Sequence, residues 1–364
     1  MIVKNEAHVI RRCLDSVRSL VDTWVILDTG STDGTQDIIR ETLADLPGTL
    51  YESPWNGFDL SRTEAIERAA ESAHYLLFID ADDVMETDPG FTMPDLSHDC
   101  YDIAVHHGPV VHWRPTMVST RLSWRYVGVL HEHLECADEF DRAPLEGVRM
   151  VIMGGGGRLQ GSERKKYLRD AAILKDGLAK EPDNARYAFY LAQSWRDAGE
   201  PAKALAAYDR RAAMDGFVEE AFCSRLYAAR LAQTLKRRTP EVMARFLDAH
   251  EYRPTRAEPL GELAHMCRVR GERWPLAYLF ARRAAEIPQP DDILFVEQRW
   301  YDWQVLDELA VAAYWMGAYR ESLEACEQLL DGGKLPDAHR ERVTANRDFA
   351  RTRLAVGAPR PEPV

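Results

Sequence analysis

Lysine is almost missing from the first 150 residues, where Lys4 is the only one. Twelve basic residues face 27 acidic ones there, a balance of −15, while the remainder carries 34 basic against 32 acidic, a balance of +2. Phosphate contacts need Lys and Arg, so such a segment makes a poor nucleic-acid binder, and no nucleic-acid partner is expected. An anionic ligand could be held there only by a few placed donors or by a metal. Clustered cysteine is missing too. The six thiols (Cys13, Cys100, Cys136, Cys223, Cys267 and Cys326) are scattered without a Cys-x-x-Cys pair. That spacing excludes a zinc or disulfide framework and points to reduced cytosolic thiols. No apolar run approaches the roughly 18 residues that span a bilayer. The N-terminus lacks the charged-then-apolar pattern of a secretion signal. A soluble, cytoplasmic protein without a membrane span is therefore expected. Gly-x-Gly-x-x-Gly and Gly-Lys-Ser/Thr are absent as well, which removes the usual phosphate cradles of dinucleotide folds and P-loops.

What is present centres on Tyr75-Leu76-Leu77-Phe78-Ile79-Asp80-Ala81-Asp82-Asp83. Five apolar or aromatic residues followed by three carboxylates read as a buried strand that empties an acidic cluster at its C-terminal end. Open α/β sheets bind ligands at that end. Carboxylates this close repel one another unless a cation sits among them. Mg²⁺ and Mn²⁺ take such oxygen ligands, usually one or two carboxylates together with substrate phosphate oxygens. An acidic loop that merely caps the next helix would look the same, so the neighbouring segments decide.

Taken in order, Met1-Ile2-Val3 reads as the tail of a first strand, unusually short, as a mis-set start codon or a trimmed edge would leave it. Val9, Ile10, Cys13, Leu14 and Val17 recur at helical spacing. Trp24–Leu27 is a second strand with Asp28 at its end. Thr29-Gly30-Ser31-Thr32-Asp33-Gly34-Thr35 is then a small-residue turn into a helix over 36–43. Its Ser, Thr and Asp suit a helix cap, and its two glycines permit left-handed angles. A third strand surrounds Thr49–Glu52, and a helix over 61–72 carries Arg62 near its start, where a guanidinium reaches a phosphate. Asp102–His112 reads as one strand with polar breaks. Alternation through Tyr126–Leu130 predicts another strand, ending in His131-Glu132-His133. Trp113, Arg114 and Trp124 are candidates for an acceptor surface. Gly154-Gly155-Gly156-Gly157-Arg158 resembles no phosphate loop and reads as a flexible closing segment, with Arg158, Lys165 or Lys166 able to touch a diphosphate.

Three stretches, Met-Ile-Val-Lys-Asn-Glu at 1–6, Asp-Thr-Gly-Ser-Thr-Asp-Gly-Thr at 28–35 and Phe-Ile-Asp-Ala-Asp-Asp at 78–83, together resemble the family 2 glycosyltransferases of the GT-A fold. Order and spacing match across about 130 residues. The resemblance implies a nucleotide-diphosphate sugar donor, most often UDP-linked, and Mn²⁺ or Mg²⁺. Carried over by position, Val3 and Glu6 lie beside the base and ribose, and Asp28 accepts from the uracil N–H. Ser31, Arg62, Asp80 and Ala81 complete the donor contacts, and Asp82 binds the metal. Thr63 stands where the family often has Asn after the Arg. Glu132 is the expected base, since related enzymes place a carboxylate after the corresponding strand; His131 and His133 are weaker candidates for the metal.

After Ser162 the pattern becomes helical. Residues 185–218, 303–336 and, with one extra residue, 257–290 fit the 34-residue tetratricopeptide pattern. Residues 219–254 are helical but irregular. Stacked repeats bury each pair on the next. They leave a concave face for an acceptor, a protein partner or a second copy. The expected organisation is thus an α/β GT-A (Rossmann-like) catalytic domain over 1–160, an all-α tetratricopeptide-like domain over 161–356 and a disordered tail over 357–364. The expected activity is metal-dependent, inverting transfer of a hexose from a UDP-sugar to an acceptor hydroxyl of a small molecule, saccharide or protein. A non-catalytic nucleotide-binding adaptor and a retaining UDP-sugar transferase are the alternatives. A sugar-phosphate nucleotidyltransferase would need a Gly-rich, Lys/Arg-bearing N-terminal loop, which is absent.

Overall fold

A computed structural model describes residues 1–107, 110–156, 163–271 and 273–357. The chain divides into two compact units, Met1–Lys180 and Glu181–Val364. The division falls after the helix α4 (Glu163–Lys180), which is helical in sequence yet belongs with the first unit.

The first unit begins with a parallel sheet of β1 (Ile2–Val3), β2 (Trp24–Asp28) and β3 (Gly48–Glu52), in that order. Parallel neighbours need crossovers, and α1 (Ile10–Val17) and α2 (Thr35–Thr42) supply them. α1 buries Ile10, Cys13, Leu14 and Val17, one stripe at three- and four-residue spacing. Its core partners include Val3, Ile26, Ile39 and Ala81. After α3 (Phe58–Ala70), β4 (Tyr75–Leu77) joins a different sheet. That sheet has the order β4-β7-β6-β10-β5 and contains β5 (Asp83–Thr87), β6 (Cys100–His107), β7 (Val110–Ser119) and β10 (Arg142–Ile152). β8 (Trp124–Val127) and β9 (His133–Cys136) form a separate hairpin.

Two expectations change here. The strand read over Asp102–His112 is two antiparallel strands, β6 and β7, which pair from Cys100↔Val118 to His107↔Val110. The polar breaks at His106-His107 fall at the end of β6. The strand read over 126–130 ends at Val127, because Gly128 takes φ +124° and His131 φ +52°, which a strand cannot accommodate.

The second unit is built of helix pairs. α5 (Ala185–Asp197) with α6 (Pro201–Ala212), α9 (Glu258–Val269) with α10 (Trp274–Ala285), and α11 (Val305–Trp315) with α12 (Tyr319–Asp331) are the three expected repeats. The irregular stretch supplies a fourth pair, α7 (Val218–Thr234) and α8 (Thr239–Tyr252), and α13 (Asp337–Ala355) follows the last repeat. Between α10 and the π-helical turn Trp300–Gln304 the chain runs without regular structure, and buried charges hold it. Glu219 accepts from the N–H groups of Ile293 and Leu294 at 3.0 and 2.7 Å. Arg256, fully buried, pairs with Glu258 and Asp292 and donates to the carbonyls of Leu294 and Phe295. Buried ions are tolerated only with such complete pairing. The expected tail, save Gly357, lies outside the described residues.

Candidate active site

Asp28 ends β2 and is fully buried. Its Oδ1 accepts from the backbone N–H groups of Gly30 and Ser31, both at 2.8 Å, so the carboxylate organises the turn that follows it. Its Oδ2 is buried and has no partner among the described residues. Buried carboxylate oxygens are normally satisfied, so this oxygen has room for one more donor, from water or from a ligand. A concavity of about 300 Å³ adjoins it, lined by Asp28, Thr29, Gly30, Glu52, Ser53 and Pro54.

The turn is laced to residues 3–7. Thr29 donates from its N–H and hydroxyl to the Val3 carbonyl at 3.0 and 3.1 Å. Asn5 donates its N–H to Ser31 Oγ at 2.9 Å, and Glu6 donates its own to Thr35 Oγ1 at 2.8 Å. Gly30 and Gly34 take φ +100° and +90°, the left-handed angles anticipated for them. Of the donor residues expected here, Val3 contributes its carbonyl to the scaffold while its side chain lies in the core.

The carboxylate cluster is gripped from α1. Cys13 Sγ donates to the Asp80 carbonyl at 3.3 Å, Arg12 donates to the Asp82 carbonyl at 3.0 Å, and Ser16 Oγ accepts from the Met85 N–H at 3.0 Å. Positions 12, 13 and 16 share a helix face. Burial pushes the Cys13 thiol up to about 12, which keeps it a donor. Sequence reading missed this clamp, although the helical spacing of α1 carries its signal. Ala81, between the aspartates, is buried against β1 and α1.

Arg62 sits between two carboxylates. Its Nη2 donates to Asp80 Oδ1 at 2.5 Å and its Nε to Glu132 Oε1 at 2.8 Å, and its guanidinium lies over the Tyr126 ring at 5.3 Å. Burial works to raise the Asp80 carboxyl, but the Arg62 guanidinium outweighs it and holds the group below the usual carboxylate range. Thr63, in the place of the family's Asn, accepts from the Tyr126 N–H at 3.0 Å and donates to its carbonyl at 3.4 Å, tying α3 to β8. Asp80, Arg62 and Glu132 thus come together from three separate segments.

Asp82 accepts from the Gly156 N–H at 3.0 Å. Asp83 is buried, and burial followed by the charges of Asp80 and Asp82 pushes its carboxyl up to about 7. Asp80 and Asp82 thus crowd a third carboxyl in one short segment. Among the described residues no three His, Cys, Asp or Glu side chains gather to hold a metal. Mg²⁺ and Mn²⁺ sites with one or two carboxylates do not need three, so the oxygen donors present fit such an ion. His133 Nε2 lies 3.5 Å from Glu135 Oε1 on the exposed hairpin, and His131 occupies the turn before it.

Of the acceptor-surface candidates, Trp113 is exposed on β7. Trp124 is a core residue, buried and donating to the Ser119 carbonyl at 2.8 Å, so it leaves that set. Arg158 lies outside the described residues. A second cavity, of about 450 Å³, is of mixed lining, with Leu14, Trp24, Tyr75 and Leu77 beside Arg62 and Asp22, and none of the candidate carboxylates lines it. No helix among the described residues is long and apolar enough to cross a membrane.

Residues 1–92 match the family described as glycosyl transferase family 2. A TPR repeat-containing protein of Synechococcus elongatus is 41% identical over 84 residues, and the SPbeta prophage-derived glycosyltransferase SunS of Bacillus subtilis is 38% identical over 84. Each match covers 23% of this chain and only 19% of the relative's length. Among solved structures, a crystal structure of MamA overlaps loosely, with a TM-score of 0.31 at 13% identity over 53% of this chain and 92% of the other. The three motifs, their placement at the strand ends and the match over 1–92 agree: the N-terminal unit of this chain carries a glycosyl transferase family 2 domain.

Proposed function

We propose that this chain is a metal-dependent, inverting glycosyltransferase that moves a hexose from a UDP-sugar to an acceptor hydroxyl. The observation that carries the donor half is the orphaned, fully buried Oδ2 of Asp28 beside an open concavity. An ionised carboxylate only accepts hydrogen bonds, so it suits a base that presents a ring N–H, as uracil does. Ser31, Glu6 and the backbone around Val3 frame that base, while Asp80 and Arg62 face the ribose and sugar. Asp82 would hold Mn²⁺ or Mg²⁺, with His131 and His133 as weaker candidates. Such an ion supplies Lewis-acid stabilisation of the charge that gathers on the departing diphosphate.

Glu132 is the general base. Arg62 Nε donates to its Oε1 and so fixes the orientation of the carboxylate that takes the acceptor proton. As the acceptor oxygen bonds to the anomeric carbon, the bond from that carbon to the diphosphate oxygen breaks. The proton passes to Glu132 and UDP leaves. The acceptor is a small molecule, a saccharide or a protein, and the repeats are a surface for that acceptor, for a partner or for a second copy.

A thermal-shift panel of UDP-glucose, UDP-GlcNAc and UDP-galactose with and without Mn²⁺ tests the donor half, since a ligand that binds only the native state raises the midpoint. A metal-dependent rise with one of them is expected; no rise with any nucleotide would promote the adaptor reading. Asp82→Ala is expected to abolish metal-dependent donor hydrolysis. Glu132→Ala is expected to spare donor binding and stop transfer. The anomeric configuration of the product, read by NMR, separates inversion from retention.

A further inference from the structure

The segment that follows β10 meets the metal-side aspartate. Ile152, the last residue of β10, pairs with Asp83 of β5, so the chain leaves the sheet beside the carboxylate cluster. Four residues later the Gly156 N–H donates to Asp82 Oδ2 at 3.0 Å. The preceding carbonyl, of Gly155, accepts from His8 Nε2 at 2.6 Å, which requires the proton on that nitrogen. His8 stands just ahead of α1, the helix whose Arg12 holds the Asp82 carbonyl. Asp82 is therefore gripped at its backbone from α1 and at its carboxylate from a strap that His8 ties down.

The approach leaves no room for a side chain. A Cβ on Gly156 would stand 2.8 Å from Asp82 Oδ2 and 3.1 Å from its Cγ. Gly156 does not have a positive φ, so it is space, not backbone angle, that demands glycine there.

We propose that Gly156 and His8 are positioning residues for Asp82: the strap fixes one carboxylate oxygen by a backbone N–H so that the other is presented to the divalent cation. This rests on the reading of Asp82 as that cation's ligand. Hydrogen bonds to a ligating carboxylate orient it and raise its affinity. The coupling is reciprocal, so a bound cation in turn holds the strap in place.

Mn²⁺ titrations of the full chain with saturating UDP, followed by the paramagnetic resonance signal of the free ion, test this. Gly156→Ala and His8→Ala are expected to weaken Mn²⁺ binding about 10- to 100-fold, the range for such outer contacts. Their UDP affinity without metal should match the unmodified chain, which shows that both fold. His8→Gln, which restores a donor, is expected to recover much of the loss. In the unmodified chain Mn²⁺ should slow amide exchange over residues 153–156. Unchanged or tighter Mn²⁺ binding in either alanine variant would overturn the proposal, as would faster strap exchange with Mn²⁺, the mark of a strap that competes with the ion. If the unmodified chain takes up no Mn²⁺ even with UDP, the metal reading itself falls, and the proposal with it.

Discussion

At the scale of single residues, Asp28 and Arg62 divide the work of the site. Asp28 spends one oxygen on its own turn and keeps the other bare. Asp28→Asn keeps an acceptor for Gly30 and Ser31 but loses the charge offered to a base. A hydrogen bond to a charged group is worth about 1.5–3 kcal/mol, so UDP affinity by calorimetry should fall about 10- to 100-fold. Undiminished binding would move the base elsewhere. In sequence Arg62 stands near a helix start, where a guanidinium reaches a phosphate; in the fold it bridges Asp80 and Glu132, 18 and 70 residues away in sequence. Thr63 shows how locally such a bridge is supported. Thr63→Val removes both contacts to the Tyr126 backbone and leaves a half-buried N–H unpaired. A loss of about 1–3 kcal/mol is expected from denaturant titration.

Between elements, helix contacts set the tolerances of the second unit. Gly261 in α9 faces the buried indole of Trp300, and a Cβ there would come within 2.5 Å of the ring. Gly261→Ala should therefore cost about 1–3 kcal/mol through overpacking, read as a lower midpoint in thermal unfolding. α11 is joined to α9 by a buried charge: Glu308 pairs with His265 Nδ1 at 2.7 Å and Arg268 Nε at 2.5 Å. Burial would raise this carboxyl, but the hydrogen bonds from His265 and Arg268 prevail and lower it. Because its folded value lies below the unfolded one, its stabilisation is complete above the ordinary glutamate range. It is lost as pH falls through the folded value. Glu308→Ala should destabilise the unit by about 1–3 kcal/mol at neutral pH, since it removes a buried carboxylate hydrogen-bonded to two partly exposed partners. The gap should narrow in acid; a pH-independent difference would remove the ion pair from that role.

At the scale of the whole molecule, the acidic stretch, residues 1–150, lies wholly within the first compact unit. The acidic part of the chain holds the carboxylate cluster and the orphaned Asp28, and the balanced part holds the repeats with their internal ion pairs. Each unit has its own apolar core. Residues 1–180 expressed alone are expected to bind UDP as the full chain does, measured by calorimetry. A large loss would show that the helical unit completes the donor site.

The sequence by itself determined the strand-end motifs, the acidic cluster and the helix pairs. The first two need particular residue types within a few positions, and helix pairs write their period into the order of apolar residues. Only the tertiary structure decided that β4 leaves the parallel sheet for another, that β10 runs between β6 and β5, and that Arg62 neutralises Asp80 and Glu132. It also decided that α1 and a glycine strap hold the aspartates from either side. These are pairings across tens of residues, set by which surfaces can be buried together, and no local period or spacing encodes them.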